Sequence, residues 1–303
     1  MRTAVATVLR ARGGRYDLYA DGTILSATLR GRLKQEDEPA VLVGDRVRYW
    51  THDDGTISIE GREPRHSVLR RRMPGRRRGV RPVASNLDLV AVAASTARPD
   101  WNPHLVDRFL AVAAASGLEA MVVLTKADLV QDPEPLVRPY RQAGYQVAVT
   151  STRTGLGIEE LRDLLTQRVT LVCGTTGVGK SSLLNRVEEG LTLRTGAVSV
   201  RSGAGRHTTV GAEMHPLSGG GFVVDTPGLR DVGLWAVAPD EALDAFPDVA
   251  RFADACRFDD CGHQEEPGCA VIPAVEAGDL DAGRLDSYRR LAAEARDAAR
   301  SWE

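Results

Sequence analysis

Lysine is almost missing from this chain. Of 39 basic side chains, only Lys34, Lys126 and Lys180 are lysines, and the rest are arginine. The bias reads as genome composition, but it makes the surviving lysines informative. A compact ammonium persists where arginine's broad planar fork would not serve. Long apolar runs are also missing. None approaches the roughly 18 to 20 residues that a membrane-spanning helix needs. The N-terminal stretch MRTAVATVLRARGGRYD has neither a long apolar core nor a clean small-residue cleavage site. A soluble, cytoplasmic monomer with no membrane partner is therefore expected. Cysteine is scarce: Cys173 stands alone, and Cys256, Cys261 and Cys269 crowd beside His263. In a cytosolic chain such a cluster reads as metal before disulfide. The formal charge of −2 says little, because the charge is unevenly spread.

What is present suits a multidomain protein. The 303 residues are 43% hydrophobic, enough for more than one core. Residues 1–68 carry short alternating stretches (TILSATLRGRL, VLVGDRVRYW, TISIEG) broken at Gly13-Gly14, Asp21-Gly22 and Asp54-Gly55. Closely spaced strands with no helical period between them predict a small β-barrel. The stretch RHSVLRRRMPGRRRGVR, residues 65 to 81, holds eight arginines and no acid. Pro74 and Gly75 argue against a continuous helix. Residues 69–83 therefore read as an Arg-rich linker, and such a charge run also attracts nucleic acid. From 84 to 238 apolar runs alternate with helical stretches such as PHLVDRFLAVAAASG and GIEELRDLLTQR. This is the pattern of a parallel sheet covered on both faces. Residues 239–303 hold the cysteine cluster and a last helix. In that helix Leu285, Tyr288, Leu291, Ala295 and Trp302 recur at helical spacing.

The chemistry concentrates in five motifs. Gly174-Thr175-Thr176-Gly177-Val178-Gly179-Lys180-Ser181 follows an apolar strand and precedes SSLLNRVEEG, the context a phosphate loop requires. Its backbone N–H groups and Lys180 would meet phosphate oxygens, Ser181 would ligate Mg²⁺, and Ser182 would continue the cradle at the helix N-terminus. Downstream, Asp225-Thr226-Pro227-Gly228 ends another strand. Asp225 would hold Mg²⁺ through water, and the Gly228 N–H would meet a γ-phosphate. Between them, SGAGRHTTV at 202 to 210 reads as a loop whose Thr209, or Thr208, closes over Mg²⁺. Thr125-Lys126-Ala127-Asp128 supplies base selection. The Asp128 carboxylate can accept both N–H donors on one edge of guanine, a pair adenine lacks, while the Lys126 stem lies along the base. Ser151 and Thr152, with Arg153, form the supporting loop.

The order of these motifs is unusual. The base loop and support loop precede the phosphate loop, the switch loop and DTPG. Joining the old ends and opening a new break gives this order with an unchanged sheet. The segment after residue 228 is then attached directly to a switch. Cys256, Cys261, His263 and Cys269 offer three thiolates and an imidazole within 14 residues. That set suits one structural Zn²⁺ with no open position.

Together these residues resemble the circularly permuted bacterial ribosome small subunit-dependent GTPase A family. The resemblance runs through VGDRV at 43 to 47, SNLDLV, VDRFL, TKADL, GTTGVGKSSLLN, GRHTT, DTPG and CRFDDCGHQEEPGCAV. It implies an N-terminal OB-fold, a permuted α/β GTPase core and a mainly helical zinc domain. It also implies GTP hydrolysis stimulated by the small ribosomal subunit during its late maturation, with rRNA, GTP and GDP as partners. Two departures stand out. Thr125 occupies a position where Asn is common, which predicts a weaker tether to the phosphate loop. Leu229 follows DTPG where Ras-like enzymes place a water-orienting Gln, which leaves His207 as the candidate to position water. An ATPase or kinase on the same loop, a passive RNA-binding module and a metal-delivery GTPase are the alternatives.

Overall fold

A computed structural model describes residues 3–29, 41–72, 80–193, 212–226, 237 and 241–300. The expected barrel is present. Strands β1 (Thr3–Arg12), β2 (Arg15–Ala20), β3 (Thr23–Leu29), β4 (Arg46–Thr51) and β5 (Ile57–Arg62) close in the order β1-β2-β3-β5-β4. β3 and β5 pair in parallel, and the other joins are antiparallel. This is the OB arrangement. Gly13-Gly14 and Asp21-Gly22 form its two-residue hairpin loops, with positive φ at both positions of each, as right-twisted hairpins demand. Val8, Leu18, Val47 and Ile59 fill the interior.

The junction behind the barrel explains VGDRV. Gly44 has φ +91, and a Cβ there would lie 2.0 Å from the Ser85 carbonyl oxygen, so only glycine fits. Asp45 is fully buried and accepts from the Leu42 N–H, the Ser85 hydroxyl and two Arg65 nitrogens. The Asn86 side chain donates to the Gly44 carbonyl. The stretch expected as a linker is, in its described part, a two-stranded antiparallel ribbon of β6 (Val68–Arg72) and β7 (Val80–Ser85). Leu69 and Ala84 anchor it in the central core.

The central sheet contains β8 (Leu89–Ser95), β9 (Glu119–Thr125), β10 (Gln146–Val149), β11 (Val169–Cys173), β12 (Glu213–Pro216) and β13 (Phe222–Asp225). Its order is β10-β9-β8-β11-β13-β12. Every pair is parallel except β12 with β13. Every residue of β8 is buried. Val90 and Val92 face one core; Leu89, Ala91 and Ala93 face the other. Helices α1 (Pro103–Ala115), α2 (Glu134–Gln142), α3 (Ile158–Leu165) and α4 (Lys180–Val187) cover the two faces. Counting from β11 makes the phosphate-loop strand first, the β12–β13 hairpin second and third, and β8 to β10 last. That is the permuted order read from the motifs.

The C-terminal region contains α5 (Pro247–Ala253), α6 (Val271–Glu276) and α7 (Ala282–Arg300). Leu285, Leu291 and Ala295 of the expected stripe are buried, while Trp302 lies outside the described residues. Arg284 on α7 is only 2% exposed. It donates to both oxygens of Asp248 at 2.9 and 2.8 Å and to Asp107 on α1. Its guanidinium lies 4.5 Å from the centre of the Phe246 ring. Asp107 belongs to VDRFL, so that motif supplies a counter-ion that fastens α7 to the GTPase core.

Candidate nucleotide and metal sites

The phosphate loop links β11 to α4, and its first glycine is fixed by packing. Gly174 has φ +135, and a Cβ there would lie 2.1 Å from the Ala93 carbonyl oxygen on β8. Gly177 and Gly179 also have positive φ. Thr175, Thr176 and Val178 complete the turn, and Lys180, Ser181 and Ser182 open α4. Lys180 Nζ donates to the Gly174 and Thr175 carbonyls at 2.7 and 2.9 Å, folded over the loop that its charge would serve. A cleft of about 210 Å³ lies between Thr175, Thr176 and α1, floored by Val92, Ala94 and Phe109. Cys173 is fully enclosed beneath the loop, and burial pushes its thiol up to about 12. It is inert, as its place on a buried strand predicts.

The base loop begins where β9 ends. Thr125 is buried, and its hydroxyl donates to the Val178 carbonyl at 2.6 Å. The base loop is therefore tethered to the phosphate loop through Thr125 itself. Lys126 sits in the left-handed region at φ +56, and its Nζ donates to the Gly177 carbonyl at 2.8 Å. It also reaches the Ala97 and Arg98 carbonyls. The loop that follows β8 is thus strapped to both motifs. Ser95 donates to the Pro99 carbonyl and Thr96 to that of Lys126. Sequence reasoning missed this strap, because TARPDWN has no periodicity and its partners lie far along the chain.

Asp128 stands on the 3-10 turn Ala127–Leu129. It accepts from the Ser151 hydroxyl at 2.5 Å and from Arg153 Nε at 2.7 Å. These donors, Ser151 first, hold its carboxyl below the usual carboxylate range. Thr152 lies between them on the loop after β10. The base loop, support loop and phosphate loop therefore converge at the C-terminal ends of adjacent strands, where open α/β sheets bind ligands.

Asp225 ends β13, in register with Val172 of β11 and therefore beside the phosphate loop. Thr226, next to it, buries a hydroxyl that has no partner among the described residues. Lys180, Ser181 and Asp225 are thus brought to one end of the sheet. The oxygens of Ser181 and Asp225 suit a hard divalent cation such as Mg²⁺. His207, Thr208, Thr209, Gly228 and Leu229 lie outside the described residues.

Cys256, Cys261, His263 and Cys269 place one ligand atom each within 4.8 Å of all the others. Two Sγ atoms, of Cys256 and Cys269, approach His263 Nδ1 at 3.6 and 3.7 Å. Tetrahedral Zn²⁺ with ordinary bond lengths spaces S and N by about 3.5 Å. The donor set and its spacing therefore fit zinc. The cage is stiffened from outside. Glu266 accepts from the Gly262 and Gln264 N–H groups, and Arg289 on α7 donates to the His263 carbonyl.

Comparison with known proteins agrees with this geometry. The family described as RsgA GTPase matches residues 62–235. Proteins named small ribosomal subunit biogenesis GTPase RsgA are similar over nearly the whole chain. The one from Gemmatimonas aurantiaca is 49% identical, covering 95% of this chain and 96% of its own. That from Moorella thermoacetica is 39% identical, with the same coverage. Among solved structures, YjeQ from Thermotoga maritima superposes with a TM-score of 0.77 at 30% identity, covering 97% of this chain and 99% of its own. YloQ, described as a circularly permuted GTPase, gives 0.74 at 25% identity, covering 98% of this chain and 96% of its own. With its barrel, its permuted sheet and its Cys/His cage, this chain belongs to the RsgA GTPase family and is a GTPase.

Proposed function

We propose that this GTPase acts in late maturation of the small ribosomal subunit and that the subunit stimulates its turnover. The observation that carries the nucleotide half is the pair of bonds from Thr125 and Lys126 to the phosphate loop. They join a guanine-selecting motif to a phosphate cradle in one rigid unit. In this reading Asp128 selects guanine, with Ser151 and Thr152 beside it. Residues 174 to 182 cradle the phosphates. Lys180 neutralises charge, Ser181 and Thr209 ligate Mg²⁺, and Asp225 holds it through water. The Gly228 N–H senses the γ-phosphate, and His207 orients the attacking water. Mg²⁺, when bound with GTP, supplies the charge that offsets the developing phosphoryl anion. One Zn²⁺ in the cysteine cage is structural.

The chain divides into a barrel (1–68), an Arg-rich arm (69–83), the GTPase core (84–238) and the zinc domain (239–303). Relatives named small ribosomal subunit biogenesis GTPase support the subunit as the partner. The barrel, the arginines around the β6–β7 ribbon and the zinc domain are the rRNA-facing parts of a cytoplasmic monomer. Phosphate contacts of this kind release counterions, so affinity falls steeply with salt. Co-sedimentation with purified small subunits across a salt series tests the reading. Binding that is tighter with a non-hydrolysable GTP analogue than with GDP, and that weakens as salt rises, is expected. Association indifferent to both would refute it.

A further inference from the structure

The outer edge of the central sheet is not free. Strand β12 pairs with β13 on one side and meets β1 of the barrel on the other. Tyr19 of β2 packs edge-on against Phe222 of β13, with ring centres 5.6 Å apart. Arg10 and Arg12 both reach Glu213, the first residue of β12; the Arg10 contact is 3.2 Å. Along the hairpin ladder, Arg12 stands directly opposite Arg15 and Arg10 opposite Asp17. Two like charges facing each other across a ladder are destabilising. Among the described residues Arg15 has no ion-pair partner. The hairpin tip thus sets three arginines against its own Asp17 and against Glu213, a carboxylate drawn from another domain.

That carboxylate is placed where a phosphodiester oxygen would sit, between two guanidinium groups. The arginines remain reachable, with side chains 42% and 62% exposed, while Glu213 is only 20% exposed. Glu213 is also in register with Asp225, the carboxylate of DTPG. The residue that occupies the barrel's arginines therefore belongs to the strand that flanks the nucleotide site. We infer that Glu213 is an internal competitor for RNA phosphates at the β1–β2 hairpin tip. RNA bound there takes over Arg10 and Arg12 and removes their ion pairs to β12, while the Tyr19–Phe222 contact stays in place. The inference rests on the reading of the barrel as RNA-facing. By linkage, whatever shifts β12 through the nucleotide then shifts RNA affinity by the same factor.

The test compares wild type, Glu213→Gln, the double variant Arg10→Ala/Arg12→Ala and the triple variant, all full length. Binding is measured to purified small ribosomal subunits, and to poly(U) as an unstructured polyanion, over a salt series. Gln keeps the size of Glu but not its charge. Glu213→Gln should bind subunits several-fold tighter, with a salt dependence steeper by about one to two phosphate contacts. The double variant should bind more weakly, and adding Glu213→Gln to it should change nothing. A thermal melt checks that each variant is folded, and Glu213→Ala serves as a second removal of the charge. If loss of both arginines leaves subunit binding unchanged, the RNA-facing reading of this hairpin fails and the inference falls with it. If the arginines matter but neither Glu213 variant tightens binding, the reading stands and the competition is overturned. Tightening toward poly(U) but not toward subunits would also overturn it, because the tip would then be a general polyanion site.

Discussion

In the proposed site Asp128 and Thr125 divide the work of the base loop between them. Asp128 must present an ionised carboxylate, and its two donors, Ser151 and then Arg153, lower its pKa. A carboxyl with a lowered folded-state value stabilises the protein above its unfolded value, near 3.9. That contribution is lost only as pH falls through the lower, folded value. Guanine binding, as far as Asp128 sets it, should therefore be flat from pH 8 to about pH 5, measured by titration of a fluorescent GDP. Asp128→Asn presents a donor at the position where guanine has a donor and xanthine has an acceptor. Preference should move from GDP to xanthosine diphosphate by roughly a hundredfold or more, because one hydrogen bond to the base is mispaired. Thr125→Val keeps the shape but strands the Val178 carbonyl. Its loss of about 1–2 kcal/mol should weaken GDP binding on the order of tenfold. Thr125→Asn should restore it. Unchanged affinity in the valine variant would show that the tether carries nothing. The sequence displayed Asp128 and Lys180 because each sits in a short motif with fixed spacing. It did not display the tether, since a threonine at an Asn position says nothing of how far its hydroxyl reaches.

The elements that escaped sequence reading did so for definite reasons. β12 is four residues long, ends at Pro216 and runs antiparallel to its neighbour, so it offers no alternation to read. The ribbon β6–β7 is arginine-rich, and its residues reach the core only through Leu69 and Ala84. VLVGDRVRYW looks like one strand, yet only its second half is β4, because Gly44 and Asp45 turn away to meet Ser85. The strands β8, β9 and β11 were legible because both of their faces are buried. The fastening of α7 could not be read at all, for Arg284, Asp248 and Asp107 lie on three separate helices. It is a buried ion cluster, and removing one partner leaves two buried carboxylates facing each other. Arg284→Met should cost about 3–5 kcal/mol, seen as an earlier transition of the C-terminal region in urea. Adding Asp248→Asn should recover part of the loss. A melt that matches wild type would mean that α7 is held by its apolar stripe alone.

At the scale of the whole molecule the permutation has a mechanical meaning. Breaking the chain after DTPG ties the zinc domain to the end of one switch segment. The barrel grips the β12–β13 hairpin that leads back from the other, through Arg10, Arg12 and Tyr19. Arg284 and Asp107 fix the zinc domain to α1 on the same core. Two flanking domains thus pack on the GTPase core, the barrel against the β12–β13 hairpin and the zinc domain against α1. Leu229 brings no group able to orient water, so the proposal expects slow turnover by the chain alone, with His207 serving once the subunit is bound. Phosphate release from GTP and from ATP, with and without purified small ribosomal subunits at moderate salt, tests this most directly. The account predicts slow release from GTP alone, strong acceleration by subunits, and negligible use of ATP in either condition. GTP turnover indifferent to subunits, or equal turnover of ATP, would contradict it.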